Sequence, residues 1–248
     1  MAGWLLASIV ELSMDTDDPR SHTSGVAGQD FRGAYTADRA SALSGVPLST
    51  IHYWARTEVL VPSLSPERIK LWSYADLMGL RTIYWLRREK QASDGGAIPA
   101  TSMPTVRRAL DGLKTLDLQL WTENQGPSVS VDRRGSIFFQ ADGDVSSVSG
   151  DRPLDPDLLD LIAPFETEQG RAPDLYAPRP TLRILPGKLS GSPHIMKTRI
   201  ETIVLAALEE RGLAEAHIAT LYPLAPPGAI RDALDLEHQL QNHLQAAA

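Results

Sequence analysis

The chain has 248 residues, 42% hydrophobic and 22% charged, an ordinary globular composition with room for one large domain or two or three small ones. It has no cysteine, which excludes disulfide frameworks and thiolate metal sites and makes a reducing cytoplasm the expected compartment. The formal net charge of −7 opposes nucleic acid at long range, but residues 30–90 carry nine basic against six acidic residues, so any nucleic-acid contact would have to come from that stretch and from its pairing in an oligomer.

The run from Trp4 to Leu12 is apolar, yet no Lys or Arg precedes it and Asp15, Asp17 and Asp18 follow. That is wrong for a signal peptide, and the run is too short to span a membrane. Met14 offers a second translation start, which would make this run a loosely attached extension. Residues 13–32 are polar and lack an apolar period, so residues 1–32 are expected to form a disordered leader.

Residues 33–90 form the next unit, in which apolar residues recur at helical spacing: Ala40 and Leu43, then Val46, Ile51 and Trp54, then Leu77, Leu80, Ile83 and Leu86. Thr36 can cap the first helix, Gly45 can end it in the left-handed conformation, and Pro47 with Ser49 opens the second, which predicts a helix-turn-helix. After Leu60 the segment VPSLSPERIKLWS is broken by Pro and then alternates, as a wing would, and Ser73 caps a helix expected from Tyr74 to about Arg88.

Residues 91–117 read as a linker over 91–103 followed by a short helix from about Pro104 to Leu116. Residues 118–180 hold strand-like runs from Leu118, Ser128 and Ser136, the last two joined through Asp132–Gly135 as a hairpin. A loop over 141–157, a short helix over Leu158–Ile162 and irregular chain to Pro180 complete that stretch. Residues 181–248 are again helical: Ile200, Ile203, Val204, Ala207 and Leu208 form one stripe ending at Gly212, and two helices follow from Ala214 and Pro227. The expected fold class is mainly α with a small β-containing middle, an α+β arrangement with two helix-turn-helix modules, the first winged.

A helix entering the major groove needs short polar and basic groups at its exposed start, and Ser49, Thr50, His52, Tyr53 and Arg56 supply them. Arg68 and Lys70 in the wing can reach phosphate. The alternative is that Arg56, Arg68 and Lys70 are solvated charges on a module used for protein contacts. In the last helix Arg231 stands against Asp232, Asp235 and Glu237, so that helix is repelled by phosphate and suits protein contact, most simply dimerisation.

Other polar clusters point to no chemistry. Arg199, beside Thr198 at a helix start, reads as tying a loop down, with phosphate or carboxylate binding as the alternative. His194, His217, His238 and His243 lack metal-ligand clustering and read as surface or capping residues. Asp155, Asp157 and Asp160 read as a helix start favoured by its dipole. Gly187–Gly191 lacks the ending a phosphate loop needs, and no catalytic constellation emerges. The expectation is a binding protein without metal or cofactor, not an enzyme.

Two resemblances sharpen this. The stretch from Tyr35 to Arg88 resembles the winged helix-turn-helix of MerR-like regulators at Ala40, Ser44, Gly45, Val46, Ser49, Thr50, Ile51, Trp54, Leu60 and Pro62, and again at Leu71, Trp72, Ser73, Asp76 and Leu77. It departs in having Lys70 where Arg is usual and Trp54 and Trp72 where Tyr is usual. It also breaks at Asp94, Gly95 and Gly96 where a long coiled-coil helix would follow, which argues against a metal or drug sensor. The C-terminal run resembles a homeodomain-like helix-turn-helix family associated with VapB-type antitoxins, through Pro186, Gly191, Pro193, Ile195, Thr198, Arg199, Ile200, Gly212, Leu213, Ile218, Tyr222, Pro223, Ala233 and Leu234.

Together these imply an antitoxin of a type II toxin-antitoxin module, with a PIN-domain ribonuclease as toxin, operator DNA as second partner and a homodimer as the working form. Its Pro-rich, apolar-anchored stretch 118–180 would face the toxin, with Arg171, Arg179, Arg183, Phe165, Leu175 and Tyr176 as the candidate contacts. The bland alternative is that these residues pack on their own chain. The rival function is a stand-alone MerR-like transcriptional regulator with an effector-binding or dimerisation C-terminal part.

Overall fold

In the computed structural model, which describes residues 32–91, 97–141, 144–147, 158–168 and 170–246, the first helix begins where its cap requires. The Thr36 side chain accepts from the Arg39 amide at the start of α1 (Ala37–Ser44), and Gly45 ends it at φ +78°, its N–H bonded to Ser41 O. Only glycine fits there, because a Cβ would lie 2.7 Å from Cβ of Ala172 as well as straining the left-handed backbone. Gly45, Val46 and Pro47 then turn the chain into α2 (Leu48–Arg56). Residues 1–31 of the expected leader, the middle of the linker, and Pro153, Asp155, Pro156 and Asp157 lie outside the described residues.

Helix α3 (Tyr74–Leu86) starts with a reciprocal cap: Ser73 Oγ takes the Asp76 amide while Asp76 takes the Ser73 amide. Asp76 Oδ2 also accepts from the amide and hydroxyl of Ser63, pinning the preceding loop to the helix. Within that loop a single bridge pairs Ser65 with Leu71, so the expected wing is a loop closed by one bridge. Eleven residues of α3 are buried, including Arg81, and a helix buried around most of its circumference is a core helix.

Strands β1 (Lys90–Gln91) and β2 (Ala97–Ile98) pair antiparallel across the predicted linker. After α4 (Met103–Lys114) the expected strand at Leu118 is instead one 3₁₀ turn over Leu118–Leu120. Asp117 causes this by accepting from the Gln119 amide and curling the chain. The hairpin forms as expected: β3 (Ser128–Val131) pairs with β4 (Ile137–Ala141) around a turn in which Asp132 Oδ1 takes the amides of Arg134 and Ser136. With β5 (Asp144–Ser147) and β6 (Leu159–Asp160) they make an antiparallel sheet of order β5-β4-β3-β6.

β6 replaces the helix predicted over Leu158–Ile162. Asp160 Oδ1 accepts from the amides of Ile162 and Ala163, offering the backbone a tight turn in place of a helical one, and Pro164 follows. The stretch predicted as irregular contains a second hairpin, β7 (Phe165–Thr167) with β8 (Gly170–Ala172). β9 (Leu182–Arg183) pairs with β10 (His194–Ile195), and three helices close the chain: α5 (Thr202–Glu210), α6 (Glu215–Leu221) and α7 (Ala229–Ala246).

The expected stripe on α5 is rotated. Thr202, Leu205 and Ala206 face inward, while Ile203 and Val204 are 50% and 43% exposed. The reason is Thr202, whose amide donates to Pro193 O and whose hydroxyl donates to Glu237 of α7, which together set the helix's rotation.

The protein is thus mainly α with small antiparallel sheets, and residues 31–248 form one compact unit. Long-range bonds join its ends: Tyr35 Oη donates to Gly191 O at 2.9 Å, Tyr74 Oη to Leu175 O at 2.8 Å, and Arg39 meets both Glu237 oxygens at 2.6 and 2.7 Å. Among the described residues no helix is long and apolar enough to cross a membrane.

Candidate nucleic-acid interface

Helix α2 is anchored by one buried side chain, Ile51. With Trp54 and Ala55 half-buried beside it, the outward face carries Ser49, His52, Tyr53 and Arg56, with Thr50 partly exposed at its edge. Tyr53 is 53% exposed, and the Arg56 guanidinium lies 5.9 Å from its ring centroid, so both share one face. Pro47 provides no side-chain cap for the first amides of α2. In the following loop Arg68 is exposed, Lys70 partly so, and Ile69 between them is 68% exposed. Among the described residues none of Arg56, Arg68 and Lys70 has an ion-pair partner, so their charge is available.

The candidates for toxin contact divide differently. Phe165 and Leu175 are core side chains: Phe165 packs edge-on to Tyr84, and the Leu175 carbonyl takes the Tyr74 hydroxyl. Tyr176 is half-buried and donates to Thr122 O, with the Arg183 guanidinium 5.2 Å from its ring. Arg183 also bonds the carbonyls of Glu123 and Leu182, and Arg179 bonds Pro178 O and Gln239 Oε1. Arg171 alone of the three has its side chain mostly in solvent, 67% exposed, and its ion pair at 3.4 Å is with a Glu166 that is itself 72% exposed, so solvent screens the pair.

No family model, curated protein or solved structure matches the chain.

The sequence reading missed the buried polar groups that hold the site in place. Arg81, fully buried, directs its five N–H groups at six carbonyls, those of Leu43, Ser44, Leu161, Ile162, Ala163 and Pro173, with Nη1 shared among Leu161, Ile162 and Ala163. Burial lowers its pKa to about 10, against the pull of Tyr74, Asp174 and Asp160. Burial likewise raises Tyr35 and Tyr74, so both remain neutral donors.

A second group centres on Glu123, whose Oε1 meets Lys188 Nζ and, at 3.3 Å, Nε2 of the buried His194. Its Oε2 takes the Lys197 amide at 3.1 Å. Burial pushes Glu123 up, but the bonds from Lys188, Lys197 and His194 outweigh it and hold the carboxyl below its ordinary range. Burial also lowers His194. His194 and His243 are buried, unlike the surface roles expected of them. Two of the acidic residues on α7 are spent internally, Glu237 on Arg39 and Asp232 on the amide and hydroxyl of Thr181. Arg199, expected to tie down its loop, is exposed without an ion pair among the described residues, and Thr198 does the tying through Ile195 O and the Ile200 amide.

Proposed function

We propose that this chain is a cytoplasmic DNA-binding antitoxin of a type II toxin-antitoxin module, which neutralises a PIN-domain ribonuclease by direct binding and represses its own operon as a homodimer. The observation that carries the DNA half is the rooting of α2 by Ile51 alone, with Ser49, His52, Tyr53 and Arg56 turned outward and, beside it, Arg68 and Lys70, which have no ion pair among the described residues. A helix so exposed suits the major groove, where Arg56 can donate two bonds to a guanine edge. Arg68 and Lys70 suit phosphate, and the uncapped amides at the start of α2 suit a phosphate oxygen. Exposed Ile69 suits contact with sugar or a thymine methyl.

The few cations at this face make one module a weak binder, so a working form with two modules per operator follows from the charge count. The antitoxin half rests on the resemblance of the C-terminal run. Such a toxin would cut RNA with carboxylate-held Mg²⁺, and Arg171 is the exposed guanidinium suited to pair with those carboxylates. Phe165 and Leu175 serve the chain's own core.

Gel shifts with the DNA upstream of its own reading frame, across a salt series, test the first half, and co-expression with a neighbouring nuclease frame tests the second. Specific shifting with capture of the nuclease is the expected result. Shifting without capture would leave a stand-alone regulator, and no specific shift would overturn the DNA reading.

A further inference from the structure

Two features of the C-terminal part have complementary charge, and one of them carries a highly exposed apolar side chain. The first is a knob. Leu224, 87% exposed in the Tyr222–Pro227 connection, borders a hollow of about 510 Å³ with Lys188, Lys197 and Arg199. Lys188 is neutralised by Glu123, but Lys197 and Arg199 are exposed and have no ion pair among the described residues. Pro223, Pro226 and Pro227 restrict the backbone around Leu224. Lys197 itself sits at φ +62°, an unfavourable conformation for a residue with a Cβ, and its amide bond to Glu123 helps keep it there. The two cations are therefore presented on a fixed turn.

The second is a groove of about 550 Å³ between α1, α5 and α7. Ala42, Leu189, Ile203, Ala207 and Leu240 supply apolar lining, and Asp38, Glu201 and Glu210 bring negative charge. Arg39, the cation of this groove, is neutralised by Glu237. Knob and groove adjoin along the chain, since Arg199 and Ile200 belong to the hollow and Glu201 and Ile203 to the groove. At this junction the rotated α5 leaves Ile203 and Val204 in solvent.

An isologous dimer needs a patch that complements itself across a two-fold axis. A basic apolar knob beside an acidic apolar groove is such a patch: an axis passing near residues 200–201 sets each knob against the other copy's groove. We propose that two copies of this chain pair through this surface, Leu224 of each entering the α1–α5–α7 groove of the other and Lys197 and Arg199 meeting Asp38, Glu201 and Glu210. This rests on the homodimer proposed above and gives that dimer a surface.

Charge reversal tests it in the full chain, because every altered residue is exposed. One variant carries Lys197→Glu with Arg199→Glu, the other Asp38→Lys with Glu210→Lys. In sedimentation each variant alone is expected at the mass of one chain, at concentrations where the unaltered protein has the mass of two. Mixed in equal amounts they are expected to form a dimer again, since both contacts of the mixed pair are then complementary, and this recovery also shows that each variant folds. Leu224→Asp is expected to dissociate the dimer without recovery by either partner. Variants that dimerise like the unaltered protein, or a mixture that stays dissociated, would overturn this surface and leave the dimer standing. An unaltered protein of single-chain mass at every concentration would overturn both.

Discussion

Helices α2 and α3 are separated by one loop and meet opposite demands. α2 buries Ile51 and turns its polar and basic groups to solvent, whereas α3 buries eleven residues and uses its one arginine inside the protein. The two arginines make the contrast plain. Arg56 rests over Tyr53 with no ion pair among the described residues, while Arg81 is saturated by six carbonyls from three separate parts of the chain. A cation without internal partners is available to a ligand, and one whose donors are all used is structural. One region therefore exposes polar and basic groups to solvent, and the other ties the end of α1 to distant parts of the chain.

The largest expected effect lies in the holding region. Arg81→Met leaves several buried carbonyls without a donor at about 1–3 kcal/mol each. Together these losses approach the ~5–15 kcal/mol that stabilises a whole domain. Urea unfolding should lose its cooperative transition or shift its midpoint far down. A midpoint close to that of the unaltered protein would show that these carbonyls find other donors and that Arg81 is not the link.

Acid tests the second polar group, the one centred on Glu123. Glu123 is held below its ordinary pKa of 4.5 and His194 below 6.5. Each depressed group binds fewer protons folded than unfolded, so stability is full above the unfolded value and declines as pH falls. The decline should begin near pH 6.5 through His194 and steepen below 4.5 through Glu123. Glu123→Gln, measured by urea midpoint against pH, should flatten the lower part of that curve. An unchanged curve would mean that other carboxyls set it.

How much of this was legible in the sequence follows from the range of each interaction. Thr36, Gly45 and Ser73 act on amides and carbonyls a few residues away, so their caps could be read directly, as could the turn at Asp132–Gly135. Most of Arg81's partners are backbone carbonyls 80 to 92 residues away, which any sequence offers and no motif announces. The face of α5 was misassigned for a related reason: hydrophobicity alone favours Ile203 and Val204 as core, but the bond from Thr202 to Glu237 decides the rotation. The outward residues of α2 were legible because one helix turn is enough to separate Ile51 from Arg56. At Asp117 and Asp160 short-range side-chain bonds overrode the strand and helix propensities around them.

A smaller effect sharpens the contrast on the contact side. Glu58 follows α2 at φ +56°, a conformation that costs a residue with a Cβ about 1 kcal/mol relative to glycine. Glu58→Gly should therefore raise the urea midpoint slightly and, by removing a negative charge near Arg56, tighten DNA binding most at low salt. Weaker DNA binding at every salt concentration would mean that Glu58 itself contributes a contact.

If the outward face of α2 serves contact and contributes little to holding the fold, Arg56→Ala separates the two most directly. In a gel shift at matched salt the variant should lose about 1–3 kcal/mol of operator affinity, with its urea midpoint unchanged within about 0.5 kcal/mol. Unchanged affinity for the operator, with the fold intact, would contradict the assignment of this face to DNA.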